Sequence, residues 1–279
     1  MGIWWSGTWR SAYDASVDVA AELEELGYKA LWSSGGFKSG LSPHFERLLA
    51  ATSRVKVVSG IASIWPTAPD EMARAVADLD HRYPGRFVLG LGASHAPIVD
   101  NYTRPYSHMV EYLDGLDIAA PPVAKERRVV AALGPRMLRL AAERAAGAHP
   151  YFVPVEHTVR ARAVLGGHAV LAPEVSVVLE EDPTRARQEA REFTTGYLSL
   201  ANYANNLRLL GFGDDDLVGG GSDRLIDAVV AWGGPDDIAN RVRQHLEAGA
   251  SHVCVQVIAP PESFPLTAYR DLAPALMEL

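Results

Sequence analysis

Short apolar runs rich in β-branched and aromatic residues alternate with amphipathic stretches along nearly the whole chain. That order implies parallel strands joined by crossover helices. Strands are expected near Ile3–Trp5, Ala30–Ser33, Val55–Ala62, Phe87–Gly92, Val129–Leu133, Pro150–Val153, Glu174–Leu179 and His252–Ile258. Eight units is the number of a (β/α)8 TIM barrel, and 279 residues with 48% hydrophobic content suit one such domain over 1–279. A doubly wound open sheet would place a glycine fingerprint directly after its first strand. Here that position reads Ser6-Gly7-Thr8-Trp9-Arg10, which is not that fingerprint.

The helices carry their punctuation. The first, about Tyr13 to Leu26, stops at Gly27, a natural residue for the left-handed position past a helix end. Pro69-Asp70-Glu71 opens another, with proline and carboxylates where a first turn favours them. Asp182-Pro183 and Gly234-Pro235-Asp236-Asp237 repeat the device, the latter before Ile238–Glu247 and the stop at Gly249. One connection breaks the rhythm: about 180–249, between the seventh and eighth strands, with two or three helices and a Gly219-Gly220-Gly221 break ahead of a Ser222 cap. An insertion leaving the C-terminal end of a barrel strand builds a substrate pocket or lid, or else packs outside as a surface helical pair.

Composition narrows the function classes. The net charge is −8 with basic residues scattered, so there is no basic face of the kind nucleic-acid binding needs. No apolar run approaches the ~20 residues that cross a bilayer, and Met1–Ser6 lacks the marks of a signal peptide, so the expected location is the cytoplasm. Cys254 is the only cysteine, which removes internal disulfides and cysteine metal clusters. No His-x-His ends an early strand, which argues against a metal-dependent hydrolase, and no metal site is expected.

Three segments, Glu22–Trp32, Val58–Trp65 and Gly85–Gly92, resemble the luciferase-like monooxygenase superfamily. The likeness is to its actinobacterial branch of oxidoreductases that use the deazaflavin coenzyme F420. Ala132–Met137 and Gly147–Tyr151 extend it, in order and in spacing. The resemblance implies hydride transfer between F420 and a small organic substrate, in a homodimer. It also implies a non-prolyl cis peptide between Gly60 and Ile61, a bulge that with Ala62 backs the ring. FMN is the alternative cofactor, as in a luciferase-like monooxygenase. A flavin-fold binding protein without catalysis is a further alternative, and a phosphate-binding isomerase barrel a weaker one.

Gly90 and Gly92 alternate at the end of a buried strand; Gly90 suits barrel taper, and Gly92, at the mouth, suits close approach of a flat ring. Ala132-Leu133-Gly134-Pro135-Arg136 supplies a glycine turn, a helix start and a cation for an anionic cofactor tail. Pro154–Thr158 is expected either to serve the same phosphate or simply to cap a helix. Among nine histidines, His95 follows the fourth strand and is the candidate proton donor or acceptor, and His149 is a candidate cofactor contact. The acid and histidine that F420-dependent sugar dehydrogenases place after the second strand are missing, since Ser33-Ser34-Gly35-Gly36-Phe37 stands there. The small residues leave room for a larger or more apolar substrate, with Trp5, Trp9, Phe37 and Trp65 as candidate walls.

Overall fold

The computed structural model describes residues 1–5, 10–35, 40–260 and 263–279. Its strands are β1 (Gly2–Trp5), β2 (Ala30–Ser33), β3 (Lys56–Ser59), β4 (Ala62–Ser63), β5 (Phe87–Gly92), β6 (Arg128–Val130), β7 (Gly147–Ala148), β8 (Val170–Leu171), β9 (Glu174–Val178), β10 (Val230–Trp232) and β11 (Cys254–Val257). They form one parallel, curled sheet in the order β10-β9-β11-β1-β2-β3-β5-β6-β7-β8, with β4 paired to β5. Only Ala172 and Pro173 separate β8 from β9. The stretch 170–178 therefore meets β7 on one side and β11 on the other, so the curl brings both flanks onto one piece of chain.

The helices are α1 (Arg10–Asp18), α2 (Ala20–Glu25), α3 (Pro43–Ala51), α4 (Pro69–Arg82), α5 (Pro105–Ile118), α6 (Pro135–Arg144), α7 (Val155–Leu165), α8 (Pro183–Leu198), α9 (Ala201–Leu209), α10 (Asp214–Leu217), α11 (Asp223–Val229), α12 (Pro235–Glu247) and α13 (Leu266–Met277). Strand residues alternate between two buried layers, as the period of two requires. Trp4, Trp32 and Val58 are in register and pack with Val129, Ala172 and Cys254 inside the curl. Ile3, Leu31 and Val57 face the other way, against Leu23, Phe45, Met72 and Leu113 of the surrounding helices. Burial on both faces is why these strands read as nearly continuous apolar runs. A third cluster joins Phe152 and Val178 to Ala186, Ala190, Tyr203, Leu207 and Ile226 beneath α8, α9 and α11.

Several helix ends match their sequence signals. Gly27 and Gly249 both take φ of +102°, Asp182 accepts from the N–H groups of Thr184 and Arg185, and Ser222 accepts from Leu225. Other boundaries move. The sixth strand lies at Gly147-Ala148 rather than Pro150–Val153, because Phe152 takes φ of +57° and gives its N–H to Glu174 Oε2 at 3.1 Å. The expected strand Val55–Ala62 is divided at Gly60-Ile61 into β3 and β4, and the first helix is divided at Val19. Residues 180–249 hold five helices, α8 to α12, and the unexpected strand β10. Among the described residues no helix is long and apolar enough to cross a membrane, and no group of three or more His, Cys, Asp or Glu is placed to hold a metal ion.

Candidate active site

The site begins where β3 ends. The Gly60–Ile61 peptide is cis. Gly60 N–H donates to the Ser33 carbonyl at 2.7 Å, and Gly35 N–H donates to the Ile61 carbonyl at 3.1 Å, which ties the bulge to the end of β2. Beyond it, Ala62 and Ser63 pair with Leu91 and Gly92. A Cβ on Gly92 would fall 2.5 Å from Ile61 Cδ1, so the missing side chain makes room for Ile61 first. A Cβ on Gly90 would lie 1.9 Å from the Ser59 carbonyl oxygen, which is the packing role expected of it.

A cleft of about 720 Å³ opens over this bulge, a size suited to a cofactor-scale ligand. Gly60, Ile61, Gly92, His95, Ala132, Leu133, Gly134, Pro135, Arg136 and His149 all line it. Ala62 does not; it is buried in the core. The pattern of the sequence missed Trp4, which sits mid-strand, and Tyr151. It also missed the wall supplied by α8, α9 and their junction: Tyr197, Leu200, Asn202 and Tyr203. Of the expected aromatic walls, Trp5 packs on His44 and Phe264. Trp65 stacks on His108, packs against the cleft residue Tyr102 and donates to the Ala93 carbonyl at 2.6 Å. Trp9 and Phe37, like Gly36, lie outside the described residues.

At the inner end, His149 Nδ1 meets the Ala172 carbonyl at 2.6 Å, and the ring stacks on Trp32 with centroids 4.4 Å apart. A carbonyl only accepts, so Nδ1 carries the hydrogen and Nε2 is a bare acceptor without a protein partner. Burial lowers the pKa of this imidazole to about 4, keeping it neutral. Trp4 Nε1, the donor beside Gly60, also has no protein partner. At the mouth, His95 Nδ1 lies 2.9 Å from Asn202 Oδ1 on α9, and burial lowers its pKa despite that hydrogen bond. Its ring centroid is 5.3 Å from that of Tyr203.

The Gly134 side of the cleft is formed by the N-terminus of α6. Gly134 caps α6, a Cβ placed on it would meet nothing within 4 Å, and Pro135 opens the helix. The first-turn N–H groups of Arg136 and Met137 have no acceptor within the helix, and the helix dipole adds positive potential there. Arg136 holds its guanidinium 4.2 Å from the Tyr106 ring centre. Pro154–Thr158 opens α7 with Pro154 at the N-cap, in line with the helix-capping reading. His157 and Thr158 are buried; His157 Nε2 donates to the Leu133 carbonyl at 2.9 Å, and Thr158 Oγ1 bonds His245 Nδ1 at 2.8 Å. The Trp4 Nε1 donor beside Gly60, the His149 Nε2 acceptor and the Gly134 turn thus belong to residues that line one cleft.

The chain is similar to proteins of known kind. A Mycobacterium tuberculosis protein whose name marks it as a candidate coenzyme F420-dependent oxidoreductase is 26% identical over 150 residues, covering 52% of this chain and 42% of that relative. The match thus spans less than half of that relative's length. An F420-dependent secondary alcohol dehydrogenase in complex with an F420-acetone adduct shares the fold with a TM-score of 0.74 at 15% identity, over 99% of this chain and 98% of that one. The oxygenating constituent of 3,6-diketocamphane monooxygenase from Pseudomonas putida, in complex with FMN, gives 0.69 at 16% identity, over 98% and 96%. The family model for luciferase-like monooxygenases matches residues 5–252, and the chain belongs to that family.

Proposed function

We propose that this chain is an F420-dependent oxidoreductase that transfers a hydride between the deazaflavin and a small organic substrate. In this reading the curled sheet is a (β/α)8 barrel forming one domain over 1–279, and about 180–249 is an insertion that roofs the substrate side. The observation that carries it is the convergence, in one 720 Å³ cleft, of the Gly60-Ile61 bulge, the unpartnered His149 Nε2 and the Gly134–Arg136 turn.

When bound, the deazaflavin supplies hydride transfer at a ring carbon; the protein binds, orients and shields. Trp4 Nε1 and His149 Nε2 would hold one donor-acceptor edge of the heterocycle. Gly134 and the α6 N-terminus would hold the anionic tail, with Arg136 adding charge. His95, neutral and with Nδ1 committed to Asn202, would hold or release the accompanying proton at Nε2. Tyr197, Leu200 and Tyr203 would exclude water from above. A homodimer in the cytoplasm completes the proposal.

FMN with oxygen chemistry is the second reading, supported by the FMN-bound monooxygenase that shares the fold. Titrating the purified chain with F420 and with FMN, followed by cofactor fluorescence, decides between them. Saturable binding of F420 is expected; binding of FMN alone would overturn the assignment.

A further inference from the structure

We infer that the substrate end of this cleft takes an uncharged, largely apolar molecule that presents hydroxyl or other donor hydrogens to a wall of bare acceptors. The inference rests on reading the cleft as a cofactor-and-substrate site, but not on which flavin occupies it.

Hydrogen-bond direction sets the polarity of this wall. Tyr151 Oη donates to Gln256 Oε1 at 2.7 Å. An amide oxygen only accepts, so the single Tyr151 proton is spent there. The 2.7 Å contact between the Tyr151 and Tyr197 hydroxyls must then be donated by Tyr197. Tyr197, on α8, therefore has no proton left for a ligand, and its oxygen offers lone pairs. Asn202, on α9, does the same to His95: its Oδ1 takes the Nδ1 hydrogen at 2.9 Å and leaves Nε2 bare. Burial favours the neutral ring. Two helices that carry no recognisable motif thus set the same polarity on two different cleft groups.

The lining supports a neutral occupant. Among the described residues no carboxylate lines the cleft, so a buried cation would go unpaired. Among the described residues the one lining cation, Arg136, lies against Tyr106 beside the Gly134 turn. Between them the rings of Trp4, Tyr151, Tyr197 and Tyr203 form a continuous wall, with neighbouring centroids 4.8 to 6.2 Å apart. Such a wall suits flat apolar carbon.

Equilibrium dialysis of the purified chain, in inorganic phosphate sufficient to occupy the Gly134–Arg136 turn, tests this with three probes of one shape: 2-naphthol, which donates; 2-methoxynaphthalene, which cannot; and 2-naphthoate, which is anionic. The expected order is 2-naphthol tightest, by about three- to tenfold over the ether, as one net hydrogen bond provides, with 2-naphthoate weakest. Tyr197→Phe should erase most of that preference, read as the ratio of 2-naphthol to ether affinity within the variant, and Asn202→Leu should reduce it. Thermal melts of both variants show whether they are folded. Equal binding of 2-naphthol and the ether, tightest binding of 2-naphthoate, no binding of 2-naphthol, or a full preference retained in folded Tyr197→Phe would each overturn the inference. F420 titration runs alongside: F420 binding without probe discrimination sinks this inference alone, whereas discrimination without F420 binding sinks the cofactor reading alone.

Discussion

His157 Nε2 donates a 2.9 Å hydrogen bond to the carbonyl of Leu133, so the start of α7 braces the turn that starts α6. The donor is nearly fully buried and its pKa is lowered by that burial, which keeps it neutral. The bond links two successive connections of the sheet beside the Gly134 turn that lines the cleft. His157→Leu should leave the Leu133 carbonyl unpaired and cost about 1–3 kcal/mol. Chemical denaturation measures that loss, and F420 titration should show about tenfold weaker binding; unchanged affinity in the folded variant would detach the brace from the site.

Glycines at the cleft should separate stability from binding. Gly90→Ala would drive a methyl to 1.9 Å from a backbone oxygen and should prevent normal folding. Gly134 has φ of −82° and open space around it, so Gly134→Ala should melt within about 2 °C of the parent. Its loss should be in affinity for the anionic tail. Full F420 affinity in Gly134→Ala would mean that the tail lies elsewhere.

Asn202 should control the protonation of His95. Asn202→Asp places a carboxylate against Nδ1, which favours the charged ring and should raise the imidazole pKa. NMR titration of the labelled ring reads this directly, and no shift would show that the two side chains do not meet in solution.

Buried histidines should make the fold acid-sensitive. Burial lowers His149 to about 4 and His44, His245 and His252 to about 3, all below the usual 6.5. The unfolded chain binds more protons than the folded one between pH 6.5 and about 3, so stability falls as pH drops through that window. Glu174, raised to about 7 by burial, acts oppositely, since its carboxyl is easier to bury once protonated. Four groups outweigh one. The melting temperature should drop by at least about 10 °C from pH 7 to pH 5; an equal or higher value at pH 5 would contradict these burials.

Much of this was legible in the sequence, and the rest was hidden for physical reasons. Strands such as Ala30–Ser33 and Phe87–Gly92 read correctly because burial on both faces leaves an unbroken apolar run with clean ends. Pro150–Val153 carries the same apolar signal but turns at Phe152, where Glu174, twenty-two residues on, takes the N–H; no local pattern encodes that bond. Val230–Trp232 follows α11 without a turn residue between them, so its strand character comes from pairing with β9 alone. The Gly60-Ile61 bulge and the Gly134 turn were found through resemblance to a family. Asn202 and Tyr197 lie on helices with ordinary amphipathic sequences, and only the fold reveals which of their side chains reach the cleft.

The most direct test is a crystal structure of the chain soaked or co-crystallised with F420. The ring should lie against Gly60-Ile61 with a heteroatom within hydrogen-bond distance of His149 Nε2, and the phosphate should sit at the Gly134–Arg136 turn. F420 bound outside this cleft, or inverted with its tail toward His149, would contradict the account.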